Sequence, residues 1–185
     1  MSLTRFAGIS GLLMMLSGCE LVSIHPLFTE KDVVFEPALV AAWLHEDGSE
    51  LVFRQEGTSG YKLAYKENKD KSAEQFEARL VRLESHLFLD VWPEVSTLQI
   101  PGHYFAKVRL RDNYLELSFM DTDWLRDMIR ASAPVAHEVT RRGSEPGQMI
   151  LTASTKDLQS FVLRLAAEPK AFGEPGLFKR REGGA

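Results

Sequence analysis

The chain predicts a mainly β fold of the α+β kind: an antiparallel meander curling into a barrel or half-barrel, with a short helix near 123–131 and a packing helix near 155–168. Three observations predict it. Apolar residues recur at every second position through successive short segments, the period of strands with one buried face. Turn-forming residues separate those segments at regular spacing. Only two stretches switch to the three-to-four-residue period of an amphipathic helix.

Ala38–His45 is the first apolar run, and Glu46–Ser49 forms a turn. Leu51, Phe53 and Gln55 then alternate with Val52 and Arg54. After Gly57–Gly60, Tyr61, Leu63 and Tyr65 share one face while Lys62 and Lys66 take the other. The stretch Lys66–Glu74 mixes Lys with Glu and Asp and reads as a solvated loop. Phe76, Ala78 and Leu80 oppose Glu77 and Arg79, and a tight turn at Glu84 and Ser85 leads into His86–Val91, which groups Leu87, Leu89 and Val91. Tyr104, Ala106, Val108 and Leu110 stand opposite His103, Lys107 and Arg109. Asp112 and Asn113 tolerate the conformations of a tight hairpin, and Leu115, Leu117 and Phe119 follow in alternation with Glu116 and Ser118. Hairpins so regularly spaced form a sheet that curls on itself.

Two helices interrupt the strands. Asp121 or Thr122 can cap the first, in which Trp124, Leu125, Met128 and Ile129 form one apolar face before Pro134. Ser154 with Asp157 three residues on resembles a capping box, whose side chains satisfy free amides of the first turn. Leu158, Phe161, Val162 and Leu165 then recur at helical spacing until Pro169. That stripe must be buried, against the sheet or across a barrel mouth. Met149–Ala153 and Leu177–Arg181 read as the last strands.

The amino terminus has the three parts of an export signal: a positive start with Arg5, an apolar stretch from Phe6 to Leu16, and the small residues Ser17 and Gly18. It is too short to span a hydrocarbon core of about 30 Å, which takes about 20 apolar helical residues. Leu16, Ser17, Gly18 and Cys19 resemble the lipobox of bacterial lipoproteins, and Cys19 is the one cysteine of the chain. The resemblance implies that diacylglycerol is attached to Cys19 and the chain cut before it. Residues 1–18 are then a signal peptide, 19–37 a tether and 38–185 a single β-rich domain. Glu20, where an Asp commonly retains such proteins at the inner membrane, implies the outer membrane facing the periplasm in an organism that has one. One acyl chain binds a membrane reversibly, whereas two or three anchor it stably, because each buried methylene contributes about 0.8 kcal/mol. The tether contains Pro26 but neither the Gly and Ser content of a flexible linker nor the Pro density of a stiff one, so part of it should pack onto the domain.

Removal of 18 residues from 185 leaves 167, enough for one domain with a sizeable core. Arg5 is the only charge lost, so the formal balance moves from −4 to −5. An acidic chain without a clustered basic surface argues against a nucleic-acid partner. With Cys19 consumed by lipid, disulfides, thiolate catalysis and cysteine metal sites drop out.

A long meander that opens with a tryptophan-bearing strand after an apolar lead-in is similar to lipocalin-like barrels, although Ala41 precedes Trp43 by two residues where lipocalins carry Gly. The stretches His86–Asp90 and Leu151–Phe161 also resemble small bacterial lipoproteins, which implies no activity.

Motifs for catalysis are missing. His45–Glu46 and His137–Glu138 each begin like a zinc-helix motif, but neither has a second His four residues on. Gly57, Thr58, Ser59 and Gly60 lack the spacing of a nucleophile elbow. His25, His45, His86, His103 and His137 are scattered, with no chelating pair visible by strand spacing. No metal and no cofactor is expected. If the interior of the barrel were hollow, Tyr61, Tyr65, Phe76 and Tyr104 would line it, with His103 touching a ligand at a strand end; otherwise the same aromatics fill a core. The expectation is a membrane-anchored envelope lipoprotein with a non-enzymatic binding or structural domain engaging a protein partner. The alternative is a lipocalin-like carrier of a small apolar ligand, with an enzyme a distant third.

Overall fold

The computed structural model describes residues 21–94, 102–132, 134–142 and 145–182. Leu21–Ser23 (β1) and Val33–Val34 (β2) precede a meander of seven strands: β3 (Ala42–His45), β4 (Glu50–Glu56), β5 (Gly60–Lys66), β6 (Glu74–Leu83), β7 (His86–Pro93), β8 (Tyr104–Arg111) and β9 (Tyr114–Phe119). Then come α1 (Thr122–Ser132), β10 (His137–Arg142), β11 (Glu145–Leu151), α2 (Thr155–Ala166) and β12 (Gly176–Arg180). The solvated loop expected between β5 and β6 is there, exposed from Lys69 to Gln75.

The two ends of the meander do not pair with each other. β12 inserts between them, antiparallel to β9 (Leu177 opposite Glu116) and to β3 (Lys179 opposite Leu44). With β6 joined to both β5 and β7, the ring of eight antiparallel strands is a closed barrel, not a half-barrel. Closure removes the open strand edges that would otherwise template aggregation. Both helices form near the expected bounds. The Asp121 carboxylate accepts the Trp124 amide at 2.8 Å, which makes Asp121 the cap of α1, and the Ser154 hydroxyl accepts the Asp157 amide at 3.2 Å at the head of α2.

Strand alternation divides the barrel wall between two cores. Trp43, Leu51, Phe53, Tyr61, Leu80, Leu89, Leu115 and Phe178 pack together inside the barrel. On β6, β7 and β8 the opposite parity is apolar too: Val81, Leu83, Phe88 and Phe105 face outward yet are buried under α1, α2 and β11. Strands covered on both faces are apolar at consecutive positions, as in Leu80–Val81 and Leu87–Phe88–Leu89. The stripe Leu158, Phe161, Val162 and Leu165 of α2 lies in this outer core. It therefore packs on the outside of the wall rather than across a mouth, because the barrel's own side chains occupy the interior.

The segment expected as a tether is, from Leu21 onward, part of the fold. β1 adds to β11 in parallel, making with β10 a three-stranded sheet in the order β1–β11–β10. β2 pairs Val33 and Val34 with Val81 and Leu80. The reason is a mismatch of length: β5 stops beside β6 at the pair Gly60–Arg79, so β6 would otherwise overhang with its backbone groups unpaired. Between these strands Leu27 is fully buried, a burial that stabilises by roughly 1.5–3 kcal/mol.

Candidate functional site: a buried carboxylate and histidine beneath the amino-terminal strap

The residues from Leu21 to Val34 form a strap across the outer wall, and the one carboxylate with no exposed surface among the described residues lies beneath it. Asp90 stands on β7 at outward parity, opposite Phe105 on β8 and Arg79 on β6. Its two oxygens have separate partners. The Leu27 amide donates to Oδ2 at 2.7 Å, and Oδ1 shares a 2.7 Å hydrogen bond with His103 Nδ1. Burial pushes the Asp90 carboxyl up from its ordinary value, against the His103 hydrogen bond and charge, the Leu27 amide and the Arg79 charge, which all favour the ionised form.

Rings and backbone enclose the pair. His103 lies 5.2 Å from the Trp92 ring, Phe28 of the strap covers Trp92 from 6.0 Å, and the Arg79 guanidinium sits 5.5 Å from the Trp92 centroid. Ser23 and His103 exchange backbone hydrogen bonds of 2.9 and 2.8 Å, tying β1 to the start of β8. From the other side α2 holds the same strap: the Thr155 hydroxyl donates to the Pro26 carbonyl, and the Gln159 amide donates to the Leu27 carbonyl and the Asp32 carboxylate.

A carboxylate oriented on a histidine is half of a hydrolytic triad. The hydroxyl of Ser23, whose backbone pairs with that of His103, donates instead to the His25 carbonyl at 2.7 Å and is buried. What the arrangement does is fasten: a carboxyl oxygen holds a backbone amide of a segment 63 residues away in sequence. A separate groove of about 540 Å³ between α2 and the head of β10 is lined by Pro134, Val135, His137, Asp157, Ser160 and Arg164, among others. Its polar groups bond within the fold: His137 Nδ1 to the Val135 carbonyl, Ser160 to the Lys156 carbonyl and Arg164 to the Pro134 carbonyl. Among the described residues no three His, Cys, Asp or Glu side chains cluster to hold a metal ion.

The five residues singled out as ligand contacts do not form one site. Tyr61, Tyr65, Phe76 and Tyr104 have interior parity on β5, β6 and β8, whereas His103 faces outward with Asp90, so the barrel wall divides the set. Tyr61 is fully buried; its hydroxyl accepts the Glu36 amide at 2.7 Å and donates to the Glu36 carbonyl at 3.3 Å, with Phe35 stacked on its ring at 5.2 Å. Tyr65 is buried, its hydroxyl has no hydrogen-bond partner among the described residues, and burial with the charges of Glu67, Asp47 and Glu74 pushes it up to about 12. Phe76 and Tyr104 are half-buried. Cys19 lies outside the described residues. Sequence reasoning missed Asp90, and the signal was there: a lone carboxylate between Leu89 and Val91 in an otherwise apolar run.

The fold thus defines an eight-stranded antiparallel meander barrel with a small three-stranded sheet and two helices on one outer wall. No protein-family model, curated protein sequence or solved structure gives a significant match to this chain.

Proposed function

We propose that the protein is a lipid-anchored lipoprotein of the bacterial cell envelope, held through Cys19 at the outer membrane facing the periplasm. Its barrel is a non-enzymatic binding or structural module that engages an envelope protein. The observation that carries this reading is the run Leu16-Ser17-Gly18-Cys19 followed within two residues by β1, the first strand of the fold. Such spacing suits a domain meant to stay at the membrane. The packed barrel interior, with Trp43, Phe53 and Tyr61 at most 1% exposed, favours a partner at the outer surface over an apolar ligand carried inside.

The test is expression of the full chain with Cys19 or Cys19→Ser, followed by membrane fractionation and intact mass. The expected result is a mature protein starting at Cys19 with added diacylglycerol, and an unprocessed variant; equal mature masses and equal membrane fractions refute the reading. In the same preparation, crosslinking in solubilised envelope should capture a protein partner. A stoichiometric apolar molecule co-purifying with the barrel would favour a carrier instead.

A further inference from the structure

We infer that the open edge of β10, together with the groove beside α2, takes up an extended, carboxylate-bearing segment of a partner protein as an added strand. This gives the envelope partner of the proposal above its docking surface, and it rests on that reading for there being such a partner. The barrel is closed, and the outer side of β1 is held by the bridge between Ser23 and His103. β10, six residues long, ends the three-stranded sheet, and among the described residues no strand pairs with its outer side. Successive residues of a strand turn their N–H and C=O groups to opposite sides. The Ala136 carbonyl accepts the Thr152 amide at 2.9 Å, so Ala136 and Glu138 face β11 while His137 and Val139 turn their backbone groups outward. A bulge between Val139 and Arg141 breaks the ladder beyond them, which leaves this head of the strand as the usable edge. Val139, 43% exposed, keeps an apolar side chain at a kind of edge that charge usually blunts.

The groove continues the edge. His137 opens β10 and also lines the groove of about 540 Å³, so the two features meet at one residue. The side chains of His137 and Val139 share a sheet face with their register partners Leu151 and Met149, which are buried in the same outer core as α2. α2 supplies the facing wall with Asp157, Ser160 and Arg164, which are three and four residues apart and so lie along one exposed side of the helix. A strand laid along His137 and Val139 places every second side chain on that face, over the α2 wall. Binding clefts hold roughly 300–1,000 Å³, and this one falls in that range. Strand addition of this kind draws its affinity from main-chain hydrogen bonds and its selectivity from the side-chain pockets beside them.

Charge in the groove selects the segment. The Asp157 carboxylate already accepts the Ser154 hydroxyl at 2.8 Å. Arg164 makes a 3.4 Å contact with the Pro134 carbonyl and pairs with no carboxylate among the described residues. Its planar guanidinium has donors to spare, and a carboxylate matches their geometry. The incoming segment therefore presents an Asp or Glu side chain to the Pro134 end of the groove.

The test pans a phage-displayed library of random linear peptides against the full chain in detergent and synthesises the peptides that are enriched. These should carry an acidic residue and, at about ten times their Kd, slow exchange at the His137 and Val139 amides about tenfold. Methylation of the peptide's own N–H groups should weaken binding about tenfold at every second position and leave the positions between unaffected. Val139→Pro removes an outward donor that β11 does not use, and should weaken binding about tenfold. Exchange at the Leu151 amide, on the residue whose carbonyl accepts the Ile24 amide, reports whether that variant keeps the sheet. Arg164→Gln should erase the preference for an acid. No enrichment over the Val139→Pro chain, or peptides that protect other amides or tolerate methylation throughout, overturns the inference. Protection of the same amides that grows with protein concentration in the absence of peptide also overturns it, since a second copy then covers the edge. An envelope protein crosslinked equally by the wild-type and Val139→Pro chains overturns the inference and leaves the partner standing; no protein crosslinked by either takes down both.

Discussion

Asp90→Ala removes the acceptor of two hydrogen bonds at once, and the structure sets the scale of the loss. The Leu27 amide, fully enclosed, loses its one partner among the described residues, a cost of roughly 1–3 kcal/mol for a buried unsatisfied donor. The His103 ring, 11% exposed, loses its other contact and can recover part of it from water, so about 1–2 kcal/mol is reasonable. Against this, the desolvation that raises the Asp90 carboxyl is relieved and returns part of the sum. The net expectation is about 2–4 kcal/mol, a large share of a total stability of about 5–15 kcal/mol. For a chain of this size it corresponds to roughly 5–15 °C in Tm. Asp90→Asn keeps a carbonyl for the Leu27 amide and should cost about 1 kcal/mol or less. Urea unfolding followed by tryptophan fluorescence measures both, and hydrogen exchange locates the damage: amides from Leu27 to Val34 should open first in the alanine variant. A loss below about 1 kcal/mol, with unchanged exchange along the strap, would show that Asp90 does not fasten it.

The same carboxyl has a pH signature. Its folded value lies above the ordinary carboxyl value of 3.8, so its contribution to stability is full below that value and is lost as pH rises through the folded one. Acidification from neutral pH should accordingly raise the stability of the native protein relative to Asp90→Asn; a relative fall on acidification would mean a carboxyl held low instead. The two barrel tyrosines should respond oppositely to loss of the hydroxyl. Tyr61→Phe strands the Glu36 amide and should cost about 1–2 kcal/mol, while Tyr65→Phe deletes an unpartnered buried hydroxyl and should be neutral or gain up to about 1 kcal/mol, both read by urea midpoints. At Gly60 an added Cβ would run into the Arg79 guanidinium and stand 2.9 Å from the Glu56 carbonyl. Gly60→Ala should therefore cost about 1–2 kcal/mol and weaken the Arg79 contact with Trp92, visible as a change in tryptophan emission.

How much of this was legible in the chain depends on the range of the interaction. Alternation along β4 to β9 reports which side chains are buried one by one, so the meander and its tight turns could be read residue by residue. Asp121 and Ser154 mark the heads of their helices because each bonds an amide three residues away. β1, β2 and β10 were not legible: the first two are three and two residues long, too short to show a period, and are strands only because β11 and β6 offer them an edge. His103 was singled out for a ligand contact at a strand end, and the structure gives it Asp90 as a partner. Its parity opposite Tyr104 was visible, but the Asp90 partner 13 residues earlier lies on the next strand, and only the β7–β8 register brings the two together.

By itself the sequence determined the strand alternation, the two amphipathic helices and the expectation of an anchor at Cys19, all of which follow from the chemistry of neighbouring residues. Tertiary structure alone decided that β12 closes the ring, that α2 lies outside the wall and that the strap from Leu21 to Val34 belongs to the domain. Each of these depends on which unsatisfied edge or apolar face remains once the local elements have formed. Those choices are settled by burial and backbone pairing between segments far apart in the chain, where local periodicity carries no signal.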